Sequence, residues 1–413
     1  MKIETIRLWN FRNYQELVIH PHPGVNLFFG PNGSGKTNIL EAIHYCALGK
    51  SHRVSGDQNV IRSGESAARC SLTVRTQAGA REITVQLTPH LTPKKAILID
   101  QKKIRRFSDM MGCLQNVIFS PEDLDMVREG PSLRRRYLDM MISQVSTKYF
   151  IALQQYKAGM DQRNILLKTL RISPSAGLGM IADFEKAMAQ PAAVIVEERR
   201  KMTELLSPVI TETYEHISGQ AQEKFRIEYH TSFQPEDDVA ERMIRLLEEN
   251  RETDIRFGVT TAGPHRDDLN LSLNHKNIKL YASQGQIRTA ALSMKLAQMK
   301  LLRQLSGEPP VLLLDDVMSE LDRGRRLRLI SEIADYQTFI TCTDASDLEF
   351  DQSKRVYQVA SQDGIGRAVE TAAGSETPCE NLSEPDFSLP EGELFHMKQS
   401  QESGEVSSPS PEL

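Results

Sequence analysis

Residues Gly30-Pro31-Asn32-Gly33-Ser34-Gly35-Lys36-Thr37 fill every required position of the phosphate-loop pattern G-x-x-x-x-G-K-[ST]. The apolar run Val25–Phe29 precedes the loop, and Asn38–Tyr45, with helical apolar spacing, follows it. The loop is therefore expected between a buried strand and a helix N-terminus, which commits the chain to an α/β fold of P-loop NTPase type. Glycines let backbone N–H groups turn onto phosphate oxygens, and the helix end adds partial positive charge. Lys36 is expected to reach the β- and γ-phosphates of ATP as a catalytic group. Thr37 would offer its hydroxyl to Mg²⁺, and Asn38 would complete the loop.

The acidic half of such a site appears only at Val311–Leu314, an apolar run ending in Asp315-Asp316, with Asp315 279 positions after Lys36. Asp315 is expected to hold Mg²⁺, and Asp316 to orient the attacking water or act as general base. A compact P-loop domain closes this gap sooner, so a large insertion is expected. Strands are expected at Cys70–Thr76, Glu82–Leu87 and Ala96–Ile99. From Ser120, read as an N-cap with Asp123 three residues later, the pattern turns helical. Helical periodicity runs through Leu133–Leu170 and Ile181–Ile217, split by Ser173–Gly177. That insert is too short and too interrupted for a long coiled coil. Ser283-Gln284-Gly285-Gln286 precedes a further helix, Ile287–Leu305, and Ser319-Glu320-Leu321-Asp322 follows the acidic pair.

Charge and cysteines bound the setting. No apolar run approaches the ~20 residues of a membrane span, and Met1-Lys2-Ile3-Glu4 reads as the start of a strand. Five scattered cysteines without metal or redox spacing read as reduced thiols in the cytoplasm. Residues 371–413 hold nine acids against one base, a net −8 in a chain whose total is −5. Residues 1–370 thus carry +3, while the Ser-, Pro- and Glu-rich tail is expected to be disordered. Three basic clusters stand out: Lys102-Lys103 with Arg105-Arg106, Arg134–Arg136, and Arg323 with Arg325, Arg326 and Arg328. Each either binds a phosphate backbone or forms an ordinary solvated face.

The order of P-loop, helical insert, Ser-x-Gly-Gln, acidic strand and Ser-x-Leu-Asp resembles ATP-binding cassette heads. The resemblance implies a two-lobed head: lobe I, α/β with mixed sheets, over residues 1–120 plus 306–370, and a helix-rich lobe II over 121–305, with the tail after 371. It also implies an ATP-induced homodimer in which Ser283, Gly285 and Gln286 contact the nucleotide held by the partner. A narrower resemblance, covering about residues 1–368, is to the RecF family of bacterial recombination mediators. It rests on Asn10–Tyr14, Gly30–Asn38, Gly49–Arg53, Ser120–Leu124, Arg134–Asp139, Thr261–Asp268 and Ser283–Gln286, all in order. Membership implies ATP-dependent binding of single-stranded, gapped and double-stranded DNA. It further implies action with RecR, and functionally with RecO and RecA, in recombination, replication restart and SOS induction, and a slow ATPase. Arg12, Asn13 and Arg53 are read either as framing the nucleotide or as surface residues. Positions 341–343 lack the switch histidine of transporters, no Q-loop glutamine is placed (Gln115 lies near the lobe junction), and Gly263–Asp268 has no assigned role. The alternatives are a transporter ATPase subunit and a signalling GTPase, the latter without an Asn-Lys-x-Asp guanine reader.

Overall fold

A computed structural model describes residues 1–54, 56–90, 92, 94–173, 178–344, 354–372 and 375–378. The chain opens with β1 (Lys2–Phe11), β2 (Tyr14–Ile19), β3 (Val25–Phe29) and α1 (Lys36–Leu48). Then come β4 (Ala68–Thr76), β5 (Gly79–Leu87), β6 (Lys95–Ile99), β7 (Lys102–Lys103) and β8 (Asn116–Phe119). Four helices follow: α2 (Asp123–Arg128), α3 (Pro131–Ser143), α4 (Thr147–Ile172) and α5 (Leu178–Ser218). Next are β9 (Phe225–His230), α6 (Val239–Glu249), α7 (Arg251–Phe257), β10 (Asp268–Leu273), β11 (Lys276–Asn277), α8 (Ile278–Tyr281) and α9 (Gln284–Ser306). The chain returns through β12 (Val311–Asp315), α10 (Arg323–Glu332), β13 (Thr338–Cys342), β14 (Lys354–Gln362), β15 (Ile365–Ala372) and β16 (Ser375–Pro378).

The central sheet has the order β16-β15-β14-β3-β13-β12-β8, and its five strands from β14 to β8 run parallel. Both its faces are covered, as parallel sheets require, which explains the unbroken apolar run of β12. Alternate residues of that run serve different cores. Leu312 and Leu314 pack with the helices of the insert, and Val311 and Leu313 pack with α1 and the antiparallel sheet. Each such leucine, fully withdrawn from water, contributes about 1.5–3 kcal/mol. The antiparallel sheet, β2-β1-β4-β5-β6-β7, covers α1 from the other side. In the insert, the 41-residue α5 packs against α4, α6, α9 and β9.

The α/β expectation for the P-loop strand, α1 and the acidic strand is met, and four details differ. Ser120 does not cap α2; instead the Asp123 carboxylate accepts from Ser120 N at 2.8 Å, at a helix that begins at Asp123. The first helical stretch is broken at Gln144–Ser146, where Ser146 Oγ accepts from Tyr149 N to start α4. The insert also contains a three-stranded sheet, β11-β10-β9. Finally, order extends past 371: β15 runs to Ala372 and β16 pairs with it. The rest of the expected tail, from 379, lies outside the described residues, as do most residues of the Ser173–Gly177 break. Among the described residues no helix is long and apolar enough to cross a membrane.

Candidate functional site

The carboxyl ends of β3, β13 and β12 lie side by side, so the loop after β3 faces the acids after β12 across β13. Thr341 of β13 is the bridge, in register with Phe28 on one side and Asp315 on the other. The loop requires its glycines for steric reasons. Gly30 has φ 149°, and a Cβ there would fall 2.1 Å from Val359 O on β14. Gly35 has φ 111°, and its Cβ would meet the Asn13 amide at 2.6 Å.

Around this loop the chain has already arranged its polar groups. Lys36 Nζ donates to the carbonyls of Gly30 (2.7 Å) and Pro31 (2.9 Å). Burial lowers its pKa, and the nearby Asp316, Cys342 and Asp315 pull in the opposite direction. Ser34 Oγ is buried without a hydrogen-bond partner among the described residues. Asn13 donates to Ser34 O (2.9 Å) and accepts from Asn38 (2.9 Å), while Tyr14 donates to Gly35 O (3.1 Å). Tyr14, given no role from sequence, and Asn38, expected as the last residue of the loop, thus both help to brace it.

On the acidic side, Asp315 Oδ1 accepts from Thr37 Oγ1 at 2.8 Å and from Thr341 Oγ1 at 2.7 Å. Burial raises the Asp315 pKa; the two hydroxyls and then Arg53 oppose that rise, and Glu122 adds to it. Asp316 adopts a left-handed backbone at φ 55°. Its N–H donates to Thr341 Oγ1 (3.0 Å), and its carbonyl accepts from Ser319 Oγ (2.7 Å). Thr341 therefore locks both acids, a role its sequence position concealed behind the missing histidine.

Arg12 is held by internal partners. Its guanidinium makes two bonds to the fully buried Glu41, at 2.9 and 2.7 Å, and a third to Asn59 O. Arg53 donates to Asn38 Oδ1 at 3.2 Å and also approaches Glu41 at 3.8 Å. Glu41, a fully buried acid of α1 that no motif marks, organises this corner.

The site fits a nucleotide with Mg²⁺. Thr37 and Asp315 present two hard oxygen donors 2.8 Å apart, the number Mg²⁺ often takes from protein, with phosphate and water supplying the others. The orphaned Ser34 hydroxyl and the Lys36 ammonium, held by two loop carbonyls, are the polar groups of the loop that could turn to phosphate oxygens. Among the described residues no cluster of three His, Cys, Asp or Glu is arranged to hold a metal by itself.

Ser283 and Gln286 close a capping box at the start of α9: Ser283 Oγ accepts from Gln286 N (3.3 Å), and Gln286 Oε1 accepts from Ser283 N (2.8 Å). Gln286 Nε2 also donates to Glu223 (2.7 Å), and Gly285 lies against the Arg325 guanidinium. Their partners all lie away from the phosphate loop, and Ser283 is solvent-exposed through the box. Farther along α9, Lys295 donates to Ile118 O and pairs with Asp123, each at 2.8 Å, tying this helix to the end of β8. Beside that tie lies a cavity of about 390 Å³ lined by His52, Arg53, Ser120, Glu122, Arg136 and Lys295. Burial, then His44, lowers the His52 pKa to about 2, so its ring is neutral.

The structure also gives Gly263–Asp268 a role. Arg134 is buried and pairs doubly with Asp268 at 2.7 and 2.8 Å. Arg135 donates to Asp267 O (2.7 Å), and Arg199 binds Asp139 and Pro264 O. His265 contacts Tyr156 and Thr260 O. The turn knots α3, α4 and α5 together, so Arg134 and Arg135 are internal fasteners.

Comparison with known proteins follows this geometry. Residues 2–366 match the family described as RecF/RecN/SMC N terminal domain. The DNA replication and repair protein RecF of Clostridium perfringens is 39% identical over 361 residues, covering 87% of this chain and 98% of that protein. RecF of Lactobacillus johnsonii is 40% identical, with the same coverage. The solved structure of the recombination mediator protein RecF with ATP, in the RecFOR pathway, superposes with a TM-score of 0.81 at 33% identity, covering 90% of this chain and 98% of that one. An Smc head domain from Pyrococcus furiosus, 17% identical with a TM-score of 0.53, shares the fold.

Proposed function

Because the chain belongs to the RecF/RecN/SMC N-terminal domain family, and within it to the RecF proteins of DNA replication and repair, we propose that it is an ATP-closed clamp on DNA. One observation carries this reading: the Thr37–Asp315 pair completes a phosphate site in one lobe, while Ser283 stands exposed at the start of α9 in the other. Half of a nucleotide-sandwich dimer has this form. The loop Gly30–Asn38 would hold ATP, and Thr37 and Asp315 would be the protein ligands of Mg²⁺. Mg²⁺ supplies charge neutralisation at the β- and γ-phosphates. Lys36 exchanges the carbonyls of Gly30 and Pro31 for phosphate oxygens. The ammonium, disfavoured by burial, thereby gains an anionic partner.

Ser283, Gly285 and Gln286 then meet the γ-phosphate held by the partner subunit. The helix dipole of the 23-residue α9 favours that contact. Asp316 orients the attacking water. Its shorter side chain, compared with glutamate, suits a slow ATPase and a long-lived closed state. Lobe I corresponds to residues 1–120 with 306–370, and lobe II to 121–305. The closed dimer binds DNA at gaps and junctions and acts with RecR and RecO to load RecA, in support of recombination and SOS induction. The RecFOR pathway named for the solved relatives supports this assignment, and the family assignment displaces the transporter alternative.

Sedimentation with and without ATP, combined with a gel shift on gapped duplex, tests the reading. ATP is expected to convert monomer to dimer and to strengthen DNA binding. A protein that stays monomeric with ATP, or whose DNA binding ignores ATP, would sink it.

A further inference from the structure

The three basic clusters have different fates in the fold, and the first keeps adjacent arginines open to an outside anion while the other two spend most of theirs on internal partners. Arg134 and Arg135 are consumed by Asp268 and Asp267 O. In the last cluster, Arg325 pairs with Asp322 and Arg328 donates to Ile217 O. By contrast Arg105 and Arg106 are exposed, and no ion pair forms at either among the described residues. Phe107, the next residue, lies on Gly49, where a Cβ would come within 2.3 Å of its ring, and stacks on Phe150 of α4 at 5.6 Å. Arg106 precedes Phe107 and Lys50 follows Gly49, so the Phe107–Gly49 contact joins these two stretches of chain. The Phe107–Phe150 stack ties the same stretch to α4, on which Lys157 lies two turns beyond Phe150. Lys50, Arg136 and Lys157 are likewise exposed without an ion pair among the described residues. Partial burial lowers the Lys50 pKa, and repulsion from Lys157, Lys95 and Arg136 lowers it further against the opposing pull of Asp57, so Lys50 lies within the field of these cations.

We propose that this surface, formed by Lys50, Arg105, Arg106, Arg136 and Lys157 across the seam of the two lobes, receives the sugar-phosphate backbone of duplex DNA. The proposal rests on the DNA-binding reading above and gives it a location. Unpaired cations facing solvent gain counterion-release energy on a polyanion without first breaking internal pairs. Single-strand binders, in contrast, expose aromatic faces for base stacking. Here Phe107 and Phe150, the rings set into the patch, are stacked on each other, which favours backbone contact with a duplex. Because the cations come from both lobes, a duplex lying across them contacts elements of each. Lys102 and Lys103 adjoin the patch, but lysines on an edge strand such as β7 also deter strand pairing, so they make poor probes.

The test uses the full-length protein with ATP and titrates salt against a blunt labelled duplex and a single strand of equal length. Two variants are compared with wild type: Arg105→Glu/Arg106→Glu, and Lys157→Glu on a different element. Each is expected to keep ATP binding and circular dichroism. Duplex affinity should fall roughly 10- to 100-fold at 0.1 M salt for the double variant, with a shallower slope of log K against log salt. Should wild type bind duplex while both variants match it in affinity and slope, the surface is wrong and the DNA-binding reading stands. A loss confined to the single strand overturns the duplex assignment. Absence of binding by wild type at low salt defeats the underlying reading as well.

Discussion

Asp315 accepts two hydroxyl hydrogen bonds on one oxygen, yet its pKa remains raised because burial outweighs them. A raised pKa means that the folded, metal-free protein holds this proton more tightly than the unfolded chain does. The associated stability is present at low pH and is lost as pH rises through the folded value. Asp315→Asn keeps an oxygen for Thr37 and Thr341 and removes the charge. Without Mg²⁺, its melting temperature should exceed that of wild type at pH 7.5, with the gap narrowing toward pH 5, while ATP hydrolysis is lost. A variant less stable than wild type at pH 7.5 would contradict the burial account. Gly30 poses the opposite problem. Gly30→Ala would push a Cβ into the Val359 carbonyl from a left-handed backbone. It should cost about 1–3 kcal/mol in urea unfolding. Lys36→Ala removes the one ammonium in the loop. ATP binding, measured by fluorescence of a labelled analogue, should drop below detection, and ATP-driven dimerisation with it.

At the scale of elements, α9 joins two duties. Its first turn presents Ser283, and its middle is tied by Lys295 to Ile118 O and Asp123 at the end of β8. Ser283→Arg should leave ATP binding by the monomer within about twofold of wild type and abolish the ATP-induced dimer in sedimentation; a normal dimer would remove the signature role. The sequence reveals α9, α1, β3 and β12 well because each carries a long or unbroken pattern with a sharp terminus. It hides β9 and β10, although Phe225, Ile227 and Tyr229, and Leu269, Leu271 and Leu273, alternate as strands should. Those runs are only six residues long and sit inside a helical stretch. The site divides the same way. Gly30–Thr37 and Asp315-Asp316 are legible because local geometry demands those residue types in a row. Thr341 and Glu41 are not, since their partners are distant in sequence and their types carry no motif. Nor does a run of arginines reveal which will be buried; Arg134 and Arg105 look alike until Asp268 is placed.

At the scale of the whole molecule, the insert is held by charge as much as by apolar packing. Arg163 is fully buried between Glu185 (3.0 Å) and Asp254 (2.6 Å), which joins α4, α5 and α7. Arg163→Met leaves two buried carboxylates short of a partner and should cost about 3–5 kcal/mol. Limited proteolysis should then cut first within α4 to α7, while residues 1–120 stay protected. The two cores also fix where trimming is safe. Removal of residues from 379 onward is expected to leave ATP binding unchanged, whereas a cut at 371 strips β16 and the end of β15. The neighbours of the phosphate-loop strand, β13 and β14, both come from the far end of the chain. A ribosome adding roughly 5–20 residues per second needs on the order of 15–60 s to travel from Thr37 to its partner Asp315. Throughout that interval the nascent loop has a strand with no sheet on either side. A chain that ends before β12 therefore lacks both strands that flank β3 and the carboxylate that accepts from Thr37.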